Sequence, residues 1–185
     1  MKKSNLILFG ALAAILVFTL IFQLTTHHYI KKEDRERTTA TRVTEERTVA
    51  SFKSIKSIGA LSIVLVQDSL YKVQVEAPNH LIDSVRTDVV QDTLVIESKK
   101  NIKKRDSVVM HITLKSLEHL GLDTYSTIKS KGPISGNELN LELKGQSAAK
   151  LLLNYEHMQY SNSSDGTVDI SGDIKNIKIV NVQKE

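Results

Sequence analysis

Between Leu117 and Val182 one short pattern of apolar, polar, apolar residues returns four times, and a chain with such a repeat has few ways to fold. The pattern starts at Leu120, Leu141, Met158 and Ile177, and each mark is followed two residues on by Leu122, Leu143, Tyr160 and Ile179. The successive spacings are 21, 17 and 19. Six residues past the first three marks stand Ser126, Ser147 and Ser164, and two residues before each serine comes a turn-tolerant Thr124, Gly145 or Asn162. A period of about 20 residues is the signature of stacked supersecondary units.

The units read as strands. In Leu139 to Lys144 the leucines 139, 141 and 143 alternate with Asn140, Glu142 and Lys144, which places all three on one face of a strand and would scatter them around a helix. A buried leucine contributes roughly 1.5 to 3 kcal/mol. Ordering the backbone costs about 1 to 2 kcal/mol per residue, so a single unit is not stable alone and must stack on its neighbours. The expected fold is all-β, a β-solenoid or β-roll of short stacked strands preceded by one N-terminal transmembrane helix. An ordinary antiparallel meander with similar strand lengths is the competing reading.

Absent residue types narrow the chemistry. The 185 residues contain no cysteine, which excludes disulfides, thiolate metal sites, a cysteine nucleophile and a lipid-accepting cysteine. Tryptophan is absent and aromatic residues make up 5%, too few for a stacking platform for sugars or single-stranded nucleic acid.

Leu6 to Leu24 is nineteen residues without a charge, preceded by Lys2 and Lys3. As a helix it would span about 28 Å, close to the hydrocarbon thickness of a bilayer. It is longer than a signal-peptide core and its exit lacks a small-x-small cleavage site, so an uncleaved signal anchor is expected. Lys and Arg counts alone favour Lys31, Lys32, Arg35 and Arg37 as cytoplasmic, whereas the basic N-terminal tail resembles a signal n-region. The second argument is preferred: N-terminus cytoplasmic, remainder periplasmic or otherwise extracytoplasmic, in a single-pass inner-membrane protein. The domain plan is then a cytoplasmic tail at 1–5, an anchor at 6–24, a polar stalk at 25–46 and a β domain at 47–185. The last divides into a first half, 47–116, and a repeat half, 117–182. The stalk mixes charges with threonines and has no apolar period; part of it also suits a short charged helix, through i,i+4 pairs in Ile30 to Arg37.

The formal net charge is +4, and Lys2 and Lys3 account for two of those charges, so the rest of the chain is close to neutral and nucleic acid is not an expected partner. One local exception is Lys99, Lys100, Lys103, Lys104 and Arg105, five bases between two strand-like runs. They would suit phosphate or an acidic polysaccharide; a solvated hairpin loop is the simpler reading.

Leu61 to Val66 is apolar at nearly every position, as in a strand covered on both faces. Tyr71, Val73 and Val75 alternate with polar residues, Pro78 and Asn79 turn the chain, and Leu81 to Val90 fits either a short helix or a strand. Leu94 and Ile96 mark another strand, and Val108, Met110, Ile112 and Leu114 a longer one. Phe52-x-x-Ile55, Ile63-Val64-Leu65-Val66-Gln67-Asp68, Val73-x-Val75-x-Ala77, Val85-x-Thr87-x-Val89 and Thr93-Leu94-Val95-Ile96 together resemble the auto-transporter adhesin head GIN domain family. The resemblance spans roughly Arg47 to Val182. It implies a bacterial extracytoplasmic β-roll or solenoid and no catalytic residues.

Ile177, Ile179, Val180 and Val182 make the final strand apolar, and that edge is expected to associate with another chain or with itself. No catalytic, cofactor or metal residues are assigned. His80, His111, His119 and His157 lack a ligand spacing such as H-E-x-x-H, although His119 and His157, two repeat lengths apart, would stack if the repeat were regular. Ser126, Ser147 and Ser164 have no assignable base and orienting partner, and turn hydrogen bonding accounts for them. Three functions remain: a membrane-anchored binding or adhesion module, a structural envelope protein docking a partner through its C-terminal edge, and an extracytoplasmic sensor or regulatory accessory protein.

Overall fold

The computed structural model describes residues 15, 17–23, 41–99, 102 and 106–180. The chain divides into two units, Met1–Ala40 and Thr41–Glu185. In the first, residues 15 and 17–23 are helical and exposed. Among the described residues no helix is long and apolar enough to cross a membrane; most of the expected anchor, Leu6 to Leu24, lies outside them.

The second unit is mostly strand, one sheet curled into a half-barrel. Its elements are β1 (Arg42–Arg47), β2 (Ser54–Ile58), β3 (Ser62–Gln67), β4 (Lys72–Pro78), the one-turn helix α1 (Asn79–Ile82), β5 (Val85–Val90), β6 (Thr93–Ser98), β7 (Val109–Leu114), β8 (His119–Asp123), β9 (Thr127–Gly145), β10 (Ala148–Ser164) and β11 (Val168–Val180). Strands run in the order β1-β4-β7-β3-β9-β8-β2-β6-β5, with β10 on β9 and β11 on β10.

Two columns of parallel strands result. In one, β7, β3 and the start of β9 stand side by side, Ser62 opposite both Val109 and Thr127. In the other, β2, β8 and the end of β9 do so, Ile55 opposite Leu120 and Leu120 opposite Leu141. β9, β10 and β11 each pass through both columns in parallel register. The repeat strands are therefore longer than the short ones expected, because each runs through the corner as one continuous strand.

Between the two columns lies one apolar core. Ile55, Ile63, Leu65, Leu94, Ile96, Met110, Ile112, Leu120, Leu141 and Leu143 are all fully buried in it. Alternation accounts for these positions: in β4, Val73, Val75 and Ala77 are buried while Lys72, Gln74 and Glu76 face outward.

Stacking follows a different phase from the marks in the sequence. Leu141 faces Tyr160, while Met158 faces Leu139 and Ile177. The ladders are thus Leu120–Leu141–Tyr160–Ile179 and Leu139–Met158–Ile177. The short step from Leu141 to Met158 in the sequence pattern is a coincidence of like residues. Backbone pairing carries Leu141 on to Tyr160 instead, and it carries Ile128 to Ala149 before a register shift between Lys150 and Leu152.

The expected stalk, 25–46, overlaps β1, whose six residues pair antiparallel with β4. This strand has no buried residue and is held by its backbone and two arginines. Arg42 bonds Glu76 at 2.8 Å. Arg47 reaches the carbonyls of Ile82 and Val85 and the Thr87 hydroxyl, so one guanidinium ties β1 to α1 and β5. The ambiguous stretch Leu81 to Val90 is both of its readings in turn, the last half of α1 and then β5.

Candidate functional site

One concave feature of the β domain lies where each pass leaves the corner. A cleft of about 660 Å³ is lined by Leu117, Glu118, Gly136, Asn137, Glu138, Leu139, Asn140, His157, Met158, Gln159, Asn176, Ile177 and Lys178, with Ser116 at its end. Parallel pairing builds its wall. Glu138, His157 and Asn176 are register partners, as are Asn140, Gln159 and Lys178. Each set is a row running across the strands at the strand spacing of about 4.8 Å. Leu139 and Met158, which also line it, are buried between these rows.

Tyr155 supports the cleft from beneath. Its hydroxyl donates to the Leu117 carbonyl at 2.8 Å. Its ring lies under Gly136, where a Cβ would come 2.6 Å from the ring edge, so the corner closes this tightly only on glycine. Burial, and then the nearby Glu118 carboxylate, push the Tyr155 hydroxyl well above the ordinary tyrosine range. Glu118 also pairs with Lys53 at 2.9 Å, and that hydrogen bond raises the lysine.

A second column marks the turns between the two faces. Ser57 and Ser126 are fully buried and share a hydroxyl hydrogen bond of 2.9 Å. Ser126 Oγ also bonds the carbonyls of Gly59 and Asp123. Ser164 Oγ donates to the Ser147 carbonyl. Ser147 Oγ is buried without a hydrogen-bond partner among the described residues. These serines stitch turns together. Sequence reasoning misses Ser57, since nothing local sets it apart from other strand serines.

The histidines are not brought together. His119 faces Asn140, whose partner is Gln159, while His157 faces Glu138 and Asn176. Two passes along the ladder from His119 therefore end on Gln159, and His157 falls in the neighbouring row. His111 is exposed, 4.0 Å from Glu76. Among the described residues no group of three His, Cys, Asp or Glu side chains is placed to hold a metal ion.

Of the basic run, Lys99 is exposed and its backbone N–H donates to the Ser84 carbonyl. Lys100, Lys103, Lys104 and Arg105 lie outside the described residues. Of the apolar edge, Ile177 and Ile179 are exposed and Val180 is half-buried, all on β11, while Val182 lies outside.

Comparison with known proteins agrees with this architecture. No curated protein sequence matches the chain. A solved structure described as a putative adhesin from Bacteroides fragilis superposes with a TM-score of 0.63 at 18% identity, covering 71% of this chain and 62% of that one. This chain therefore spans less than two thirds of that relative. A putative lipid binding protein from Parabacteroides distasonis gives 0.61 at 17% identity, covering 77% and 68%. A putative adhesin from Parabacteroides merdae gives 0.57 at 14% identity, covering 79% and 80%. At such identities the likeness is one of fold. The family model described as "Putative auto-transporter adhesin, head GIN domain" matches residues 51–184, and the chain belongs to that family.

Proposed function

We propose that this protein is a non-enzymatic, adhesion-like binding module whose second half is a β-roll, displayed outside the cytoplasmic membrane by a signal anchor at Leu6 to Leu24. Membership of the head GIN family over residues 51–184 carries the reading, because solved structures of the same fold are described as putative adhesins. The cleft supplies a surface. Its side-chain amides, carboxylates and imidazole offer donors and acceptors in rows across the strands. Such rows suit an extended, hydroxyl-bearing polymer, such as an envelope polysaccharide, held by hydrogen bonds and not by stacking on aromatic rings.

Titration of the full chain in detergent micelles with purified envelope polysaccharide tests this. Replacing both Asn140 and Gln159 by alanine removes two hydrogen-bonding groups at about 1 kcal/mol each, and a weakening of roughly tenfold or more is expected. Undiminished binding by the double variant would show that the cleft is not the ligand surface. Placement outside the membrane is tested by protease added to spheroplasts, which should degrade the chain beyond Leu24; full protection until lysis would overturn it.

A further inference from the structure

The sheet is finished differently at its two ends. At one end Arg47 binds the edge strand β1 to β5 and α1 through three hydrogen bonds. At the other, β11 pairs with β10 and with no other strand among the described residues. No residue of β11 is buried. The apolar rows of the core simply run out there: Leu139 is 2% exposed, Met158 3%, and their neighbour Ile177 54%. Ile179, at the end of the row from the fully buried Leu120 and Leu141, is 67% exposed. Thirteen residues of strand with one bare edge are a template for strand addition.

Its sequence says which strand fits. β11 has two arms. Val168 to Gly172 stacks on Ala149 to Leu153, and Asn176 to Val180 stacks on His157 to Ser161. The first arm carries Asp169 and the second Lys178, with Asp173 and Lys175 at the corner between them. A second β11 laid on in parallel would put like charge over like. Turned end for end about a two-fold axis through the corner, the first arm of one copy lies on the second arm of the other. In one register Val168 then faces Ile179, Asp169 faces Lys178 and Ile170 faces Ile177. Apolar meets apolar on the inward side, and acid meets base on the outward side. The same pairs recur on both sides of the axis, as an isologous interface requires.

We propose that β11 pairs antiparallel with β11 of a second copy in this register, joining two half-barrels end to end into one continuous core. The inference does not depend on the ligand of the cleft. Sedimentation of the full chain in detergent micelles, from micromolar to sub-millimolar protein, should show a reversible dimer. Two charge-reversed forms, Asp169→Lys with Asp173→Lys and Lys175→Glu with Lys178→Glu, should each dimerise at least tenfold more weakly, and an equimolar mixture should recover the dimer. A monomer at every concentration, or a dimer unmoved by either reversal, overturns the proposal. Because the chain has no cysteine, a second readout is independent of charge. Asp169→Cys combined with Lys178→Cys should give a disulfide-linked dimer on mild oxidation, while Asp169→Cys alone should not. Within one copy these positions lie on different arms, nine residues apart along an extended strand, beyond disulfide reach. No covalent dimer from the folded double variant would likewise overturn the register.

Discussion

Ser57 and Ser126, 69 residues apart in sequence, share one hydrogen bond of 2.9 Å inside the core, whereas Ser147, one pass further along, keeps its hydroxyl buried and without a partner among the described residues. The difference lies in the preceding pass, since Ser57 has no serine counterpart where β8 takes its place: its register partner there is Leu122. Ser126→Ala should destabilise the fold by about 1 to 3 kcal/mol, because it strands the Ser57 hydroxyl and removes a donor from the Gly59 carbonyl. Ser147→Ala should be neutral or slightly stabilising, since it removes an orphan. Urea midpoints of the two variants, compared at equal slope, check the contrast.

Tyr155 makes stability depend on alkaline pH. Its folded-state pKa is raised by burial, so below about pH 10 folded and unfolded chains are both protonated and its contribution is fully present. Above that, the unfolded chain releases the proton and the folded one holds it, and stability falls as pH rises. Tyr160 is shifted in the same direction by burial, with an opposing hydrogen bond to Asn162. Tyr155→Phe should lose about 1 kcal/mol at neutral pH, through the bare Leu117 carbonyl, and should flatten the decline between about pH 9 and pH 11. Denaturant titrations at neutral and alkaline pH measure both.

Thr124 holds a left-handed backbone, φ 70°, with its N–H capped by Asp123 Oδ1 at 2.6 Å. That conformation costs a β-branched residue about 1 to 2 kcal/mol. Thr124→Gly should relieve the strain at a smaller entropic cost, for a net gain of about 0.5 to 1 kcal/mol in thermal or urea unfolding. Gly145, φ 67°, occupies the matching turn of the next pass, and a Cβ there would approach the Thr124 carbonyl oxygen to 2.7 Å. Gly145→Ala should therefore act in the opposite sense.

Arg47→Ala should cost about 2 kcal/mol or more, because the Ile82 and Val85 carbonyls and the Thr87 hydroxyl lose one shared charged donor. Arg47→Lys should not restore the loss, since an ammonium does not spread donors in a planar fork. Hydrogen exchange at β1 and β5 should rise in both variants.

The legible parts of this molecule are those whose identity follows from burial. Strict alternation at Leu139, Leu141 and Leu143 reports a one-faced strand, the same logic finds β4, β6 and β7, and the continuous apolar run Leu61 to Val66 marks β3 as a strand covered on both faces. What stays hidden is decided by the backbone. β1 lies in a charged, threonine-rich stretch and owes its place to ladder bonds with β4 and to two arginines. The β5–β6 hairpin turns on Gln91 and Asp92, both with positive φ, a pair far from the usual Asn-Gly signal. The cleft depends on the phase of stacking, and matching Met158 to Leu141 instead of Leu139 shifts every outward row by two residues. A regular repeat would put His119 and His157 in one row through the same slip.

Within the column of β2, β8 and β9, successive pairings differ in how far the chain must travel to make them. Ser54 of β2 pairs with His119 only after a long excursion, whereas His119 pairs with Asn140 one pass later. Closing the longer loop, about three times the shorter, costs roughly 1 kcal/mol more in chain entropy, and it brings together strands that cannot be covered until β9 is in place. Folding should accordingly begin in the C-terminal passes, which zip one upon the next. The N-terminal strands would then dock onto a template already formed, so that a newly made chain stays incomplete until β9 to β11 have emerged.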